Sequence, residues 1–363
     1  MRGVGLMAGV LSVAMAAGAA TAHLTSKAVK ATVAADGSGQ FTTLQAAVDA
    51  LPQTGGTITL APGTYREKVN ILKPNVHLIG LGQQPQDVLL VFNANAGNWG
   101  GTGKTATLTS TGDGFEMRNM TVQNDWSVNH PRSQVEPHEG DQAVALMLRG
   151  DRDVVEHVRL LGAQDTLYAG GGGHCVAQAP SWKPAEATAA AAAGTPPLQN
   201  SGACRAVRQL FRDCYIEGHI DFIFGDANAV FERCEIHAIA NNQAYLTAQS
   251  KDTPERQSVY VFDHCKVTAD AGVGKLYLGR PWRPYGSVVF LNTELDAKVD
   301  PEGWADWQHT PGSIKTAFFA EYNSTGIGAN PAAREPYSHQ LTAAEAKQYE
   351  PAKILAGQDG WRP

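Results

Sequence analysis

Gly218-His219-Ile220-Asp221-Phe222-Ile223-Phe224-Gly225 sets one carboxylate, Asp221, inside a run of large apolar residues bounded by two glycines. Such a run predicts a buried strand. A carboxylate there is costly unless a cation or several donors hold it. Asp221 is therefore either half of a structural ion pair or a tuned catalytic group, and the residues around it in the chain must decide which.

Working outward, apolar residues recur at offsets 0, 3 and 5. The sets are Met117/Met120/Val122, Val155/Val158/Leu160, Phe211/Cys214/Ile216, Phe231/Cys234/Ile236, Phe262/Cys265/Val267 and, with one polar member, Phe290/Thr293/Leu295. Variable spacing between similar units suggests a β-solenoid, each turn stacking its strands on the next. A β-sandwich with chance similarity is the alternative, but the units do not alternate as hairpins would. A solenoid also lets one all-β domain accommodate residues 23–363, because its core grows lengthwise. The widest gap holds an insertion, residues 170–205, with four glycines from Gly170 to Gly173 and an Ala-rich run from Ala185 to Gly194. It reads as a surface excursion, with Cys175 and Cys204 flanking it.

Thr42 with Gln45 predicts a capping box for a short helix carrying Leu44, Val48 and Leu51 on one face and ending at Pro52. Thr57–Leu60, Val69–Ile71 and Val76–Gly80 read as strands, with Pro62–Glu67 turning between the first two. Thr342 with Glu345 predicts a second capping box and a short helix over the last turn, where an open solenoid edge needs cover.

Composition removes several function classes. The formal charge is −6, and no basic tract stands ready to neutralise phosphates, so a nucleic-acid partner is not expected. The 11 histidines show no metal-ligand spacing, and no metal or other cofactor is expected. Arg2 precedes an uncharged run from Gly3 to Ala22 that ends in a small-x-small site, the pattern of a signal peptide over residues 1–22. An uncleaved membrane anchor is the alternative reading. The expectation is an exported, soluble monomer without stable membrane insertion. Five cysteines in an exported chain allow two bridges and leave a thiol.

Gln164-Asp165-Thr166-Leu167-Tyr168 supplies a second carboxylate beside an amide. Gln142 heads an alternating run, and Leu278-Gly279-Arg280-Pro281-Trp282 joins a guanidinium to an indole. Each has a bland reading alone, as an amide ladder, a surface charge or core. Together with Asp36-Gly37-Ser38-Gly39, Gly63-x-Tyr65-x-Glu67, the Asp221–Gly225 stretch and Asp359-Gly360-Trp361, they closely resemble the pectin methylesterase (pectinesterase) family over nearly the whole chain after residue 22. Departures are the insertion after Tyr168, His219, and Asp226 where Asn is usual.

The resemblance implies a right-handed parallel β-helix with short capping helices, and a cleft along one face. It implies that the substrate is pectin, with Asp221 as nucleophile on the C6 carbonyl of a methylated galacturonate. Arg280 would keep Asp221 ionised and aimed, and Gln142 and Gln164 would donate to the oxyanion. Asp165 would be the general acid and then base, which requires it to hold its proton more tightly than Asp221 does. Trp282, Phe224 and Tyr168 would pack against sugar rings. No G-x-S-x-G elbow suggests a serine esterase. A polygalacturonase on the same solenoid, or a non-catalytic pectin-binding protein, are the rival readings. Bacterial relatives also suggest a bridge between Cys214 and Cys234, which would stack on neighbouring turns and leave Cys265 a buried thiol. The alternative is that all three cysteines are small core hydrophobes.

Overall fold

The first residues of the six repeated sets form one ladder. Met117, Val155, Phe211, Phe231, Phe262 and Phe290 are successive partners in parallel, in-register strands. The offset-5 residues make a second ladder, Val122, Leu160, Ile216, Ile236, Val267 and Leu295. The protein, described by a computed structural model over Met1 and residues 30–130, 140–171 and 206–363, is a parallel β-helix. Every pairing between its described strands is parallel. The expected signal peptide, Cys175, Cys204 and nearly all of the insertion lie outside the described residues.

The residue between the two ladders bends each turn. Asn119, His157, Asp213, Arg233, His264 and Asn292 all lie in the left-handed region, with φ of 54°, 52°, 52°, 51°, 52° and 48°. Left-handed backbone is unfavourable for residues with a Cβ, and Asn and Asp tolerate it best. The stack offsets this: Phe211, Phe231, Phe262 and Phe290 are fully buried, with neighbouring ring centroids 4.8, 4.4 and 4.5 Å apart. Burying each such ring contributes about 1.5–3 kcal/mol.

From Cys214 onward the offset-3 residues form a column of donors. Cys214 Sγ donates to Val155 O at 3.4 Å, Cys234 Sγ to Phe211 O at 3.5 Å and Cys265 Sγ to Phe231 O at 3.2 Å. Thr293 Oγ1 repeats the contact on Phe262 O at 3.2 Å. Each side chain thus points to a carbonyl one turn back. The bridge expected between Cys214 and Cys234 is therefore not formed: both are free, buried thiols, as is Cys265. Side chains aimed alike along one column do not present the converging Cβ vectors that a disulfide needs.

Strands Gly56–Leu60, Val69–Ile71 and Val76–Gly80 form as expected, but Pro62–Glu67 is not all turn: Gly63–Arg66 pairs with Val88–Phe92. The first helix is Leu44–Ala50, and its N-cap is Thr43 rather than Thr42. Gln45 does not close a capping box. Instead Glu67 reaches in from its own turn and accepts the Leu44 and Gln45 N–H groups at 2.6 and 3.0 Å. The second capping box, Thr342 with Glu345, is present. Its helix leads into a segment that runs back along the side of the solenoid, where Ala346 and Leu355 pack with Leu210, Val230 and Val261. Asp359 there pairs with Arg208, far from the last turn. No helix among the described residues is long and apolar enough to cross a membrane.

Candidate active site

The second wall is a six-stranded sheet that includes Leu146–Leu148, Leu167–Ala169, Ile223–Gly225 and Thr247–Gln249 on successive turns. The Asp221 stretch is not one continuous strand. Tyr215–Gly218 and Ile223–Gly225 are strands, and Asp221 sits at the bend between them with φ 51°. Left-handed backbone breaks the alternation, so Phe222 and Ile223 both reach the core while Asp221 faces outward. Gly225 closes the stretch with φ 118°. A Cβ there would lie 2.4 Å from Ala169 O on the turn below, so glycine is required.

Leu167 pairs with Ile223 and Ile223 with Thr247. Two residues earlier on each turn, Asp165, Asp221 and Tyr245 therefore share one outward rung. Asp165 repeats the geometry of Asp221, with φ 64°, and its N–H donates to Ile220 O at 3.1 Å. The two residues lie on adjacent turns, whose strands are spaced about 4.8 Å apart. Arg280 grips Asp221 with both arms of its fork, Nε to Oδ1 at 2.8 Å and Nη2 to Oδ2 at 2.7 Å. Both side chains are 10% exposed. Burial opposes the charge on Arg280, but Asp221 outweighs it and raises the guanidinium pKa further. Such a bidentate pair fixes the plane and direction of the carboxylate.

These groups open into a cleft of about 530 Å³, lined by Asp165, Asp221, Arg280, Gln142 and Gln164, so all five expected catalytic residues meet in one place. Backbone bonds hold the glutamines: Ala96 N–H donates to Gln142 O at 2.9 Å and Ala143 N–H to Gln164 O at 3.0 Å. Phe224 and Trp282 line the cleft edge to face, with ring centroids 5.9 Å apart. Tyr168 is not among the lining residues; its ring packs edge-on against Phe224 at 5.0 Å. His219 is buried, its Nδ1 accepting the Ile220 N–H at 2.7 Å. Asp226 is buried too, paired with Arg256, and accepts the Gly171 N–H at the edge of the insertion.

Sequence reasoning missed Tyr245, Gln243, Trp307 and His309, which also line the cleft. Tyr245 had a signal: Tyr245-Leu246-Thr247-Ala248 is the next turn's counterpart of Asp221-Phe222-Ile223-Phe224. Trp307 had none, because its loop is outside the repeat. No group of His, Cys, Asp or Glu among the described residues could hold a metal ion.

The same fold has been solved in relatives. A pectin methylesterase from carrot matches with a TM-score of 0.73 at 27% identity, covering 91% of this chain and 93% of its own. PemA from Erwinia chrysanthemi matches with a TM-score of 0.69 at 26% identity, covering 92% and 98%. Fold and relatives together define the class: a carboxylic ester hydrolase built on a parallel β-helix. The chain belongs to the pectinesterase family, whose model matches residues 30–173 and 197–358. Pectinesterase 1 of Olea europaea is 33% identical over 333 residues, covering 90% of this chain and 78% of its own length. Pectinesterase QRT1 of Arabidopsis thaliana is 31% identical over 337 residues, covering 90% and 77%.

Proposed function

We propose that this enzyme removes methyl esters from the C6 carboxyl groups of pectin and releases methanol, with Asp221 as nucleophile and Asp165 as general acid and base. The observation that carries the reading is the bidentate Arg280 grip on Asp221, one turn from Asp165 in a cleft that also holds Gln142 and Gln164. A homologous pectin methylesterase, 26% identical, has been solved in complex with a hexasaccharide.

Each carboxylate oxygen of Asp221 has two lone pairs, and Arg280 occupies one on each. A second lone pair attacks the C6 carbonyl carbon. The carbonyl electrons move onto oxygen, where the side-chain N–H groups of Gln142 and Gln164 stabilise the oxyanion. As the intermediate collapses, Asp165 gives its proton to the departing methoxy oxygen, methanol leaves, and an anhydride joins C6 to Asp221. Asp165, now a carboxylate, takes a proton from water. The resulting hydroxide adds to C6, and collapse of the second oxyanion frees the Asp221 carboxylate and a galacturonic acid, which loses its proton to solvent. Trp282 and Phe224 offer apolar faces to the sugar chain. Export on a leader ending near Ala22 belongs to the same proposal.

The test is product analysis on highly methylated pectin. Methanol should appear without new reducing ends. New reducing ends without methanol would make the protein a chain-cleaving glycosidase, and neither product would make it a binding protein.

A further inference from the structure

Arg280 and Asp221 are not on neighbouring turns. Tyr245 pairs with Tyr277, three residues before Arg280, so the Tyr245 turn lies between the two partners. The guanidinium must cross about 10 Å of stack, two strand spacings, to reach the carboxylate. It crosses on the ring of Tyr245, with its central carbon 4.0 Å from the ring centroid. Trp307 covers the guanidinium as well, 4.4 Å from its own centroid.

Both rings are themselves held. Tyr245 stacks on Tyr277 at 5.3 Å and 12°, and its hydroxyl donates to Gln243 Oε1 at 3.1 Å. Asp306, beside Trp307, accepts the N–H groups of Trp307 and Ile314 at 2.9 and 3.0 Å and the Ser313 hydroxyl at 3.1 Å, which fixes the loop. A long arginine side chain has many rotamers, and two-point contact with Asp221 alone does not select one. Aromatic faces attract a guanidinium and remove that freedom.

We propose that Tyr245 and Trp307 are positioning residues for the esterase reaction: they form an aromatic clamp that holds the Arg280 fork across one full turn of the solenoid and so keeps Asp221 aimed at the ester. The proposal rests on the roles given above to Asp221 and Arg280. The charged and titratable groups around Asp221 are Arg280, Asp165 and Tyr245, with His219 on the same turn and His309 on the cleft wall.

The experiment compares Tyr245→Leu and Trp307→Leu with Tyr245→Phe and Trp307→Phe on methylated pectin, measuring kcat and KM. The leucine variants should lose about tenfold in kcat. Their KM should stay within about twofold. The phenylalanine variants, which keep the ring, should recover most of the loss. A rise in KM with kcat unchanged would make the rings a sugar platform and overturn the clamp. Unchanged kinetics would overturn it too. Circular dichroism of each variant separates misfolding from these outcomes, and the phenylalanine pair keeps the test available if a leucine variant does not fold. Asp221→Asn is the control for the underlying reading: if it still releases methanol, the nucleophile assignment fails; if it is inactive while the leucine variants are normal, only the clamp fails.

Discussion

Two of the buried arginine–carboxylate pairs lie at different places on this solenoid, Arg280–Asp221 in the cleft and Arg334–Glu321 near the C-terminal end. Glu321 is the next rung of the phenylalanine ladder, paired directly with Phe290. A carboxylate there points into the core, and Arg334 meets it, Nε to Oε1 at 2.6 Å, with exposures of 2% and 3%. Arg334 also donates to three backbone carbonyls, of Gly328 at 2.7 Å and of Asp300 and Pro301 at 3.4 Å. Arg280 turns its faces to two aromatic rings, and its partner borders open space. The lesson is that burial of an ion pair does not mark a site; the surroundings of the carboxylate do.

The sharpest break between the two pairs is expected from isosteric amides. Asp221→Asn should lower methanol release by about 10⁴-fold or more and cost less stability than the change at Glu321, because Arg280 borders the open cleft and keeps both aromatic faces. Near-normal release by the folded variant would remove the distinction. Glu321→Gln should do the reverse, leaving Arg334 buried without its counter-charge at a cost of about 3–5 kcal/mol of stability. Denaturant titration measures this, and the rate per folded molecule should be unchanged. Replacing Glu321 and Arg334 together by Leu and Met should cost less than the single change, because no unpaired charge remains.

A smaller effect tests whether the turn that carries Asp221 is held to the next by packing alone. Burial, the leading cause, raises the Cys214 and Cys234 thiol pKa values well above the usual range. Both should resist iodoacetamide in the native protein and be alkylated after denaturation without any reductant. Peptides that need reduction first would reveal a covalent tie beneath Asp221.

The smallest effect is at the outer surface. The hydrogen-bonded Arg208 guanidinium holds the exposed Asp359 carboxyl well below its ordinary range. A depressed carboxyl stabilises the fold fully above the unfolded value, about 3.9, and the contribution is lost as pH falls through the folded value. Asp359→Asn should therefore lower the melting temperature slightly at pH 7, and the difference from the parent should begin to shrink below about pH 3.9 and close only as pH falls through the lower, folded value.

The ladders were legible because offsets 0 and 5 point inward and are apolar on six turns; the next rung, Glu321, is charged and needs Arg334 to meet it. The bends were not: Asn119, His157, Asp213, Arg233, His264 and Asn292 share a backbone conformation and no chemistry. The five polar site residues could be read because their segments match a family. Tyr245 carried a signal only through its repeat alignment with Asp221, and Trp307 carried none because its loop lies outside the repeat. Glu67 shows the limit of local rules: Thr42 and Gln45 spell a capping box, yet a carboxylate from another turn supplies the cap.

Described residues fasten the chain on either side of residues 172–205. Gly171 donates to Asp226, which is paired with Arg256, and Arg208 is locked between Asp151 and Asp359. Two fixed posts make this place a socket for foreign sequence. Doubling the length between them adds only about 0.6 kcal/mol of closure entropy. A reporter peptide or a carbohydrate-binding module spliced here would leave the register of the catalytic turns to the posts, and the esterase would carry it as cargo.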